Sequence, residues 1–126
     1  MEFLTRFQQP IYALMRIAVG FLFACHGAQK LFGLFGGPPA EMSALLYVAG
    51  VIELAGGALV ALGLFTRYAA FLSSGQMAVA YFMVHQPMGL LPIENRGELA
   101  ALYSWIFLHI AAQGDGIWSL GGGRSG

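Results

Sequence analysis

The stretch GVIELAGGALVALGLFTRYAAFLSSGQMAVAYFMVH, residues 50–85, contains two apolar windows that are separated only by the short reversal FTR at residues 65–67. The hydrocarbon core of a bilayer is about 30 Å thick, so a helix that crosses it needs roughly 20 mostly apolar residues. Windows of this kind occur four times, near residues 11–33, 44–65, 68–88 and 98–118. Short connections favour antiparallel neighbours. The sequence therefore predicts an all-α integral membrane protein, an antiparallel four-helix transmembrane bundle.

The connections between these windows contain residues that end helices. The first, GLFGGPPAEMS at residues 33–43, is rich in glycine and proline, and the last, HQPMGLLPIENRGE at residues 85–98, supplies two prolines before the fourth window. The glycine-rich C-terminus has the composition of flexible coil. We predict a single four-span membrane domain over residues 1–118 and a flexible tail over residues 119–126.

Composition indicates a membrane protein and limits its partners. Of the 126 residues, 58% are hydrophobic and 10% are charged, whereas an average soluble domain has about 25% charged residues. The formal net charge is +0 and no basic block is present, so lipid is an expected partner and nucleic acid is not. Cys25 is the single cysteine and cannot form an intramolecular disulfide. Any redox role therefore needs a borrowed cofactor.

The distribution of arginine favours one orientation in the membrane. Arg6, Arg67 and Arg124 lie on the side that holds both termini, with Arg16 close to it. Cytoplasmic loops carry an excess of Lys and Arg, so we predict that both termini are cytoplasmic. Arg16 and Asp115 come out at about the same depth near this side. We expect a structural ion pair between them.

Polar side chains in the outer half of the predicted bundle indicate a pocket. With a helical rise of 1.5 Å per residue, His26 and Glu53 lie at similar depth in the membrane. Lys30 shares a helical face with His26. Glu53 lies on a stripe of small residues, so its carboxylate should face another helix. Ionisable groups near the centre of a membrane helix cost at least about 2.5 kcal/mol each. We expect these three side chains to face an outward-opening pocket that His85 and Glu98 complete.

A structural interpretation of the same residues stays open. Lys30 is close enough to the interface to place its ammonium group there, without any site. Glu53 pairs in this interpretation with His26 or Lys30 merely to lock the helices together. No ExxH, HxxxH or HExxH spacing occurs, and we predict no metal site.

Three stretches carry a resemblance to a known family. They are RIAVGFLFACHGAQKLFG at residues 16–33, the stretch quoted above, and NRGELAALYSWIFLHIAAQGDGIWSL at residues 95–120. They contain the patterns H-G-x-x-K-L-F-G and E-L-x-G-G-x-L-x-x-L-G-L-x-T-R. Over nearly its whole length the chain resembles the DoxX family of small four-helix bacterial membrane proteins. The resemblance points to the following residues: His26, Gly27, Lys30, Glu53, Gly56, Gly57, Arg67, Asn95 and Glu98.

The resemblance implies a multi-pass protein of the bacterial inner (cytoplasmic) membrane. Similar proteins are described as subunits of thiosulfate–quinone oxidoreductases or as partners of redox and oxidative-stress enzymes. We therefore expect a quinone-interacting or redox-partnered subunit, with ubiquinone or menaquinone as cofactor and a redox protein or a homo-oligomer as partner. The predicted catalytic residues are His26, Lys30, Glu53 and Glu98. The predicted cofactor-binding residues are His26, Lys30, Glu53, His85, Asn95 and Trp105.

Two other functions stay open at this point. In a non-enzymatic membrane scaffold or assembly subunit, the polar network only fixes helix pairing. In a small-solute transporter, the same residues form a proton relay, although four short helices leave little room for alternating access without a second copy. The chain has no self-contained redox centre, so whether it is an enzyme is also open. Ligand binding would separate the first function from the scaffold, and proton-coupled uptake would identify the transporter.

Overall fold

The computed structural model describes residues 1–37 and 42–121, and within these two ranges it contains helices and turns but no β-strand. The all-α prediction is therefore confirmed for this part of the chain. The α-helices are α1 (Glu2–Arg6), α2 (Gln8–Phe32), α3 (Ala44–Leu62), α4 (Thr66–Ala80), α5 (Pro92–Asn95) and α6 (Glu98–Gln113). A π-helical segment, Tyr81–His85, and a 3-10 turn, Gln86–Met88, continue α4.

The helix ends differ from the predicted windows where local backbone chemistry decides them. Helix α2 begins three residues before the window, at Gln8, because Pro10 is tolerated in a first turn whose N–H groups have no intrahelical acceptor. Helix α6 ends at Gln113 and not at 118, because Gly114 and Gly116 take positive φ angles of 93° and 70°. The two prolines that we expected to end the first span lie outside the described residues.

The most extensive contact between two helices is that of α2 with α3. The two helices are antiparallel, and their backbones lie close together. Gly20 lies against Gly57, and Gly27, further along α2, lies against Gly50, earlier in α3. A Cβ atom on Gly20 would lie 2.6 Å from the Gly57 carbonyl oxygen, and one on Gly27 would lie 2.7 Å from that of Gly50. Small residues let membrane helices approach closely, and here they bring the side chains of the two helices into direct contact.

Helix α6 packs antiparallel on α4 through reciprocal hydrogen bonds. Ser74 Oγ donates to the Ser104 carbonyl (2.7 Å), and Ser104 Oγ donates to the Ser74 carbonyl (3.2 Å). Near the start of α4, Arg67 Nη1 donates to the Ala112 carbonyl at the end of α6 (3.0 Å). Arg67 thereby supplies a donor to a carbonyl that the end of α6 leaves without an intrahelical partner.

Arg16 is fully buried and stabilises the end of the molecule that holds the N-terminus. It donates to the carbonyl oxygens of Val60 (3.0 Å), Asp115 (2.6 Å), Ile117 (3.0 Å) and Trp118 (2.7 Å). The expected ion pair with the Asp115 carboxylate is therefore wrong, because the guanidinium bonds the backbone of Asp115 and of the turn that follows α6. A planar group with five donors suits such a set of carbonyls.

The first residues of the predicted flexible tail contact the same end of the molecule. Leu120 N donates to the Leu62 carbonyl, and Gly121 N donates to the Gly63 carbonyl, both at 2.9 Å. These residues therefore lie against the end of α3. The rest of that segment, residues 122–126 with Arg124, lies outside the described residues.

The outer surface of the helices is apolar. Large apolar side chains such as Phe21 (61% exposed), Phe71 (66%) and Trp105 (72%) face outward, whereas Arg16 and Glu53 are buried. Across residues 1–37 and 42–121, two helices, α2 and α3, are long and apolar enough to cross a membrane. Helices α4 and α6 have 15 and 16 residues and are shorter than such a span. Length and composition thus identify two candidate spans.

Candidate ligand-binding site

A cavity of about 320 Å³ lies between α2, α3, α4 and α6, at the end of the molecule opposite Arg16. The close contact of α2 with α3 forms one side of it, and the π-helical segment after α4 forms the rim. Most of the surface that lines it is apolar, but seven of its fifteen described lining residues carry a polar or ionisable side chain. These are His26, Lys30, Glu53, Gln76, His85, Arg96 and Tyr103.

An ion pair and an amide form the polar floor of this cavity. Lys30 Nζ lies 2.5 Å from Glu53 Oε1, and Gln76 Nε2 donates to Glu53 Oε2 (3.2 Å). Both carboxylate oxygens therefore have a partner, as a buried carboxylate requires. The side chains of Glu53 and Lys30 are 2% and 19% exposed. We call Lys30, Glu53 and Gln76 the polar triad.

The glycines of α3 explain why the polar triad forms here. Gly50 and Gly57 lie one turn before and one turn after Glu53, and they bring α3 against α2. Glu53 then projects into the space that Lys30 reaches from the last turn of α2. The prediction that Glu53 faces another helix is confirmed.

Gln76 was not among the predicted site residues, although the sequence contains a signal for it. It is the one amide in the apolar part of α4, and an uncompensated polar group in a membrane helix is costly. Its Nε2 atom bonds Glu53, but its Oε1 atom is buried with no hydrogen-bond partner in the part of the chain that the structure describes. Beside the cavity, Gln76 therefore holds a buried acceptor that lacks a donor.

Aromatic rings form the wall of the cavity towards α6. Phe23 is 1% exposed, and its ring centroid lies 5.2 Å from that of Tyr103 and 4.7 Å from that of Phe107. His26 packs edge-to-face on Tyr103, with centroids 6.1 Å apart and planes at 88°. Tyr103 was not among the predicted site residues, and the structure adds it to the cavity lining.

His85 reaches the cavity from the π-helical segment. Its Nδ1 atom lies 3.1 Å from the Asn95 carbonyl oxygen. Since a carbonyl only accepts, Nδ1 carries the proton, and in the neutral ring Nε2 is left as an acceptor. Short π-helical turns occur frequently at functional sites, and this one supplies Val84 and His85 to the lining.

Three of the predicted site residues do not line the cavity. Asn95 is fully buried, but its amide donates to Tyr81 Oη and the Gly89 carbonyl, both at 3.1 Å, and so orders the loop before α6. Glu98 is exposed at the start of α6, and Trp105 faces outward. Of the other predicted residues, the structure brings His26, Lys30, Glu53 and His85 together around one cavity.

Comparison with known proteins places the chain in a family. The profile of the DoxX family matches residues 11–86, which cover most of α2, all of α3 and α4, and the π-helical segment. This chain belongs to the DoxX family. It is therefore a DoxX-like membrane protein, and the resemblance seen in the sequence is confirmed. The match includes His26, Lys30, Glu53, Gln76 and His85, whereas Tyr103 lies beyond it.

One relative covers nearly the whole chain. An uncharacterized protein of Haemophilus influenzae is 42% identical over 127 residues, which span 95% of this chain and 95% of that protein. No solved structure matches the chain significantly. These comparisons establish membership of the family and do not assign a function.

Proposed function

We propose that this protein is a four-span, antiparallel helical bundle of the bacterial inner membrane that binds the ring of a membrane quinone and works with a redox partner. The observation that carries the proposal is the polar triad, which lies on the floor of a mostly apolar cavity with Phe23 and Tyr103 in its wall. Ligand pockets commonly combine apolar walls with a few placed polar groups.

Several features support the membrane bundle. The outward-facing side chains are largely apolar, which is the surface that lipid requires and water does not. The π-helical segment and the 3-10 turn extend the helical path of α4 to Met88, so that the third span reaches the depth of the cavity rim. Arg6 and Arg67 lie at the end opposite the cavity, which favours cytoplasmic termini and an outward-facing cavity.

The donor and acceptor set of the cavity fits a quinone. A quinone carbonyl needs a donor, and Lys30 and His26 carry N–H groups in the lining. The reduced ring carries hydroxyl groups that need an acceptor, and the neutral ring of His85 offers its Nε2 atom in the lining. Flat aromatic walls suit a flat ring.

A bound quinone would supply an acceptor for two electrons and two protons. Within the cavity, Glu53 holds Lys30 and Gln76 in position, and it is the carboxylate of the described lining to which we assign proton transfer with the ring. The single cysteine, Cys25, offers no disulfide pair, so the electrons come in this proposal from a partner enzyme or from a substrate at the outer face. The same chain in a homo-oligomer would present one such cavity per copy.

A binding titration tests this proposal without any knowledge of the electron donor. The detergent-purified protein is titrated calorimetrically with 2,3-dimethoxy-5-methyl-benzoquinone, and the variants Glu53→Gln and His26→Ala are compared with wild type. A hydrogen bond from a charged group contributes about 1.5–3 kcal/mol, so loss of the arrangement at Lys30 should raise Kd at least about tenfold. Glu2→Gln, an exposed carboxylate far from the cavity, is the matched control. Equal affinity in both cavity variants and wild type would refute the site.

One observation favours a second function, that of a non-enzymatic scaffold. The ion pair of Lys30 with Glu53 joins α2 to α3, and such a pair stabilises helix pairing without any ligand. In a scaffold, Glu53→Gln lowers the unfolding temperature, and neither wild type nor variant binds a quinone. Quinone binding by wild type in the same titration therefore separates the two functions, since Glu53→Gln is expected to lower the stability in both.

A further inference from the structure

A second space lies between α3 and α4, on the outward face of the helices. It is a groove of about 510 Å³, and Gln76 is the single side chain in its lining that is not hydrophobic. The apolar lining includes Leu45, Ile52, Phe71, Leu72, Val79 and Met83. Since the outer surface is apolar on both sides of it, the groove faces lipid in the proposed bundle.

The groove and the cavity share a wall. Five residues line both spaces: Leu46, Ala49, Gln76, Ala80 and Val84. Two of the five are alanines, one from each helix, so little side-chain volume separates the spaces along this line. Gln76 belongs to the polar triad and also lines the groove, so the polar floor of the cavity borders the apolar groove.

The packing of α3 against α4 explains where this groove lies. Towards the Arg16 end the two helices are in tight contact, and a Cβ atom on Gly56 would lie 2.6 Å from Ser73 Oγ. Two residues further along α4, a Cβ atom on Gly75 would meet no atom within 4 Å. Gly75 lines the groove next to Gln76 of the polar triad, so it leaves open space in the groove at that point.

We infer that the ligand reaches the cavity sideways from the bilayer through this groove, and that its long apolar tail stays between α3 and α4 while its ring lies on the polar triad. The inference rests on the proposed function and specifies its ligand as a quinone with an isoprenoid tail. A compact polar solute would fill the cavity and leave the groove empty, whereas a tailed molecule fills both.

The charge of the cavity floor favours a neutral head group on this tailed ligand. The ammonium group of Lys30 is already paired with Glu53, so the floor offers no free positive charge for a phosphate. Arg96, the other cation of the lining, is exposed at the rim. A quinone ring is uncharged, whereas the head group of an anionic phospholipid would place its phosphate beside the Glu53 carboxylate.

The test uses two quinones that share one ring and a variant that fills the groove. The tailless probe is 2,3-dimethoxy-5-methyl-benzoquinone, and the tailed probe is the same ring with a decyl chain. Gly75→Phe places a ring in the groove, and Val51→Phe places the same ring on the exposed face of α3 outside it. Replacement of a glycine inside a helix raises helix propensity, so Gly75→Phe should fold, which circular dichroism and gel filtration check.

We expect the tailed probe to bind wild type at least tenfold more tightly than the tailless probe. Gly75→Phe should remove that difference and leave the affinity of the tailless probe unchanged, and Val51→Phe should change neither. Equal affinity of the two probes for wild type, or tighter binding of the tailed probe that survives Gly75→Phe, overturns the groove as the tail site while the proposed function stands. If neither probe binds wild type, the proposed function fails and this inference fails with it.

Discussion

The contact between Lys30 and Glu53 predicts a specific pattern in a double-mutant cycle. Removal of one partner from a buried ion pair typically costs about 3–5 kcal/mol, because the other charge stays buried without a partner. Here the side chain of Lys30 is 19% exposed and that of Glu53 is 2% exposed, so an orphaned ammonium recovers more solvation than an orphaned carboxylate. We therefore expect Glu53→Gln to lower the free energy of unfolding by roughly 2 kcal/mol, and Lys30→Met by roughly 4 kcal/mol.

The double variant distinguishes a direct interaction from two separate effects. Replacement of both members of a buried pair by uncharged residues is often nearly neutral, so the double variant should be about as stable as wild type and more stable than either single variant. The assay is unfolding of the detergent-purified protein, followed by circular dichroism. A double variant whose loss equals the sum of the two single losses would refute a direct contact, and so would single variants within about 0.5 kcal/mol of wild type.

Two further predictions concern the fold. Arg16→Lys should lower the free energy of unfolding by at least about 3 kcal/mol, because an ammonium group cannot reach the four carbonyls that the guanidinium bonds. Exposed Arg6→Lys is the control, and equal melting temperatures of the two variants would contradict this role of Arg16. Gly57→Leu should prevent folding, because a Cβ atom there would lie 2.5 Å from the Gly20 carbonyl oxygen. In Gly75→Leu the new side chain meets open space, so this variant should give a normal monodisperse gel-filtration peak. Similar yields of the two glycine variants would refute the close helix contact.

Sequence reasoning placed the residues of α2 and α3 well, because their chemistry is local and periodic. Lys30 lies one helical turn beyond His26 in α2, and small residues flank Glu53 in α3, so the pocket face of each helix follows from helix geometry. The structure brings all three to one cavity. Their roles in binding or catalysis stay predictions.

Helix α6 shows why the inner face of a membrane helix is harder to predict. Glu98 and Trp105 share a face, as the helical period requires, but that face is the exposed one. The buried face carries Tyr103 and Phe107, and both faces are apolar enough to escape a periodicity argument. Which of the two turns inward depends on the aromatic contacts with Phe23, and these join residues about 80 positions apart.

Arg16 shows a second limit of prediction from the sequence. Equal depth predicted a partner at Asp115, and the structure does bring the guanidinium to that residue, but to its backbone. Helical rise gives the depth of a residue and not which atoms meet. The acceptors are carbonyls left free where α3 ends and where the glycines after α6 stop the helix, and their number became clear only from the structure.

If the polar triad holds a quinone, mass spectrometry of the organic extract of protein purified in mild detergent should detect it directly. Wild type, Glu53→Gln and the control Glu2→Gln are compared at equal amounts of folded protein. Binding at the polar triad predicts that wild type and the control contain a quinone and that Glu53→Gln contains much less of it. Absence of a quinone from all three folded proteins, or equal amounts in all three, would contradict it.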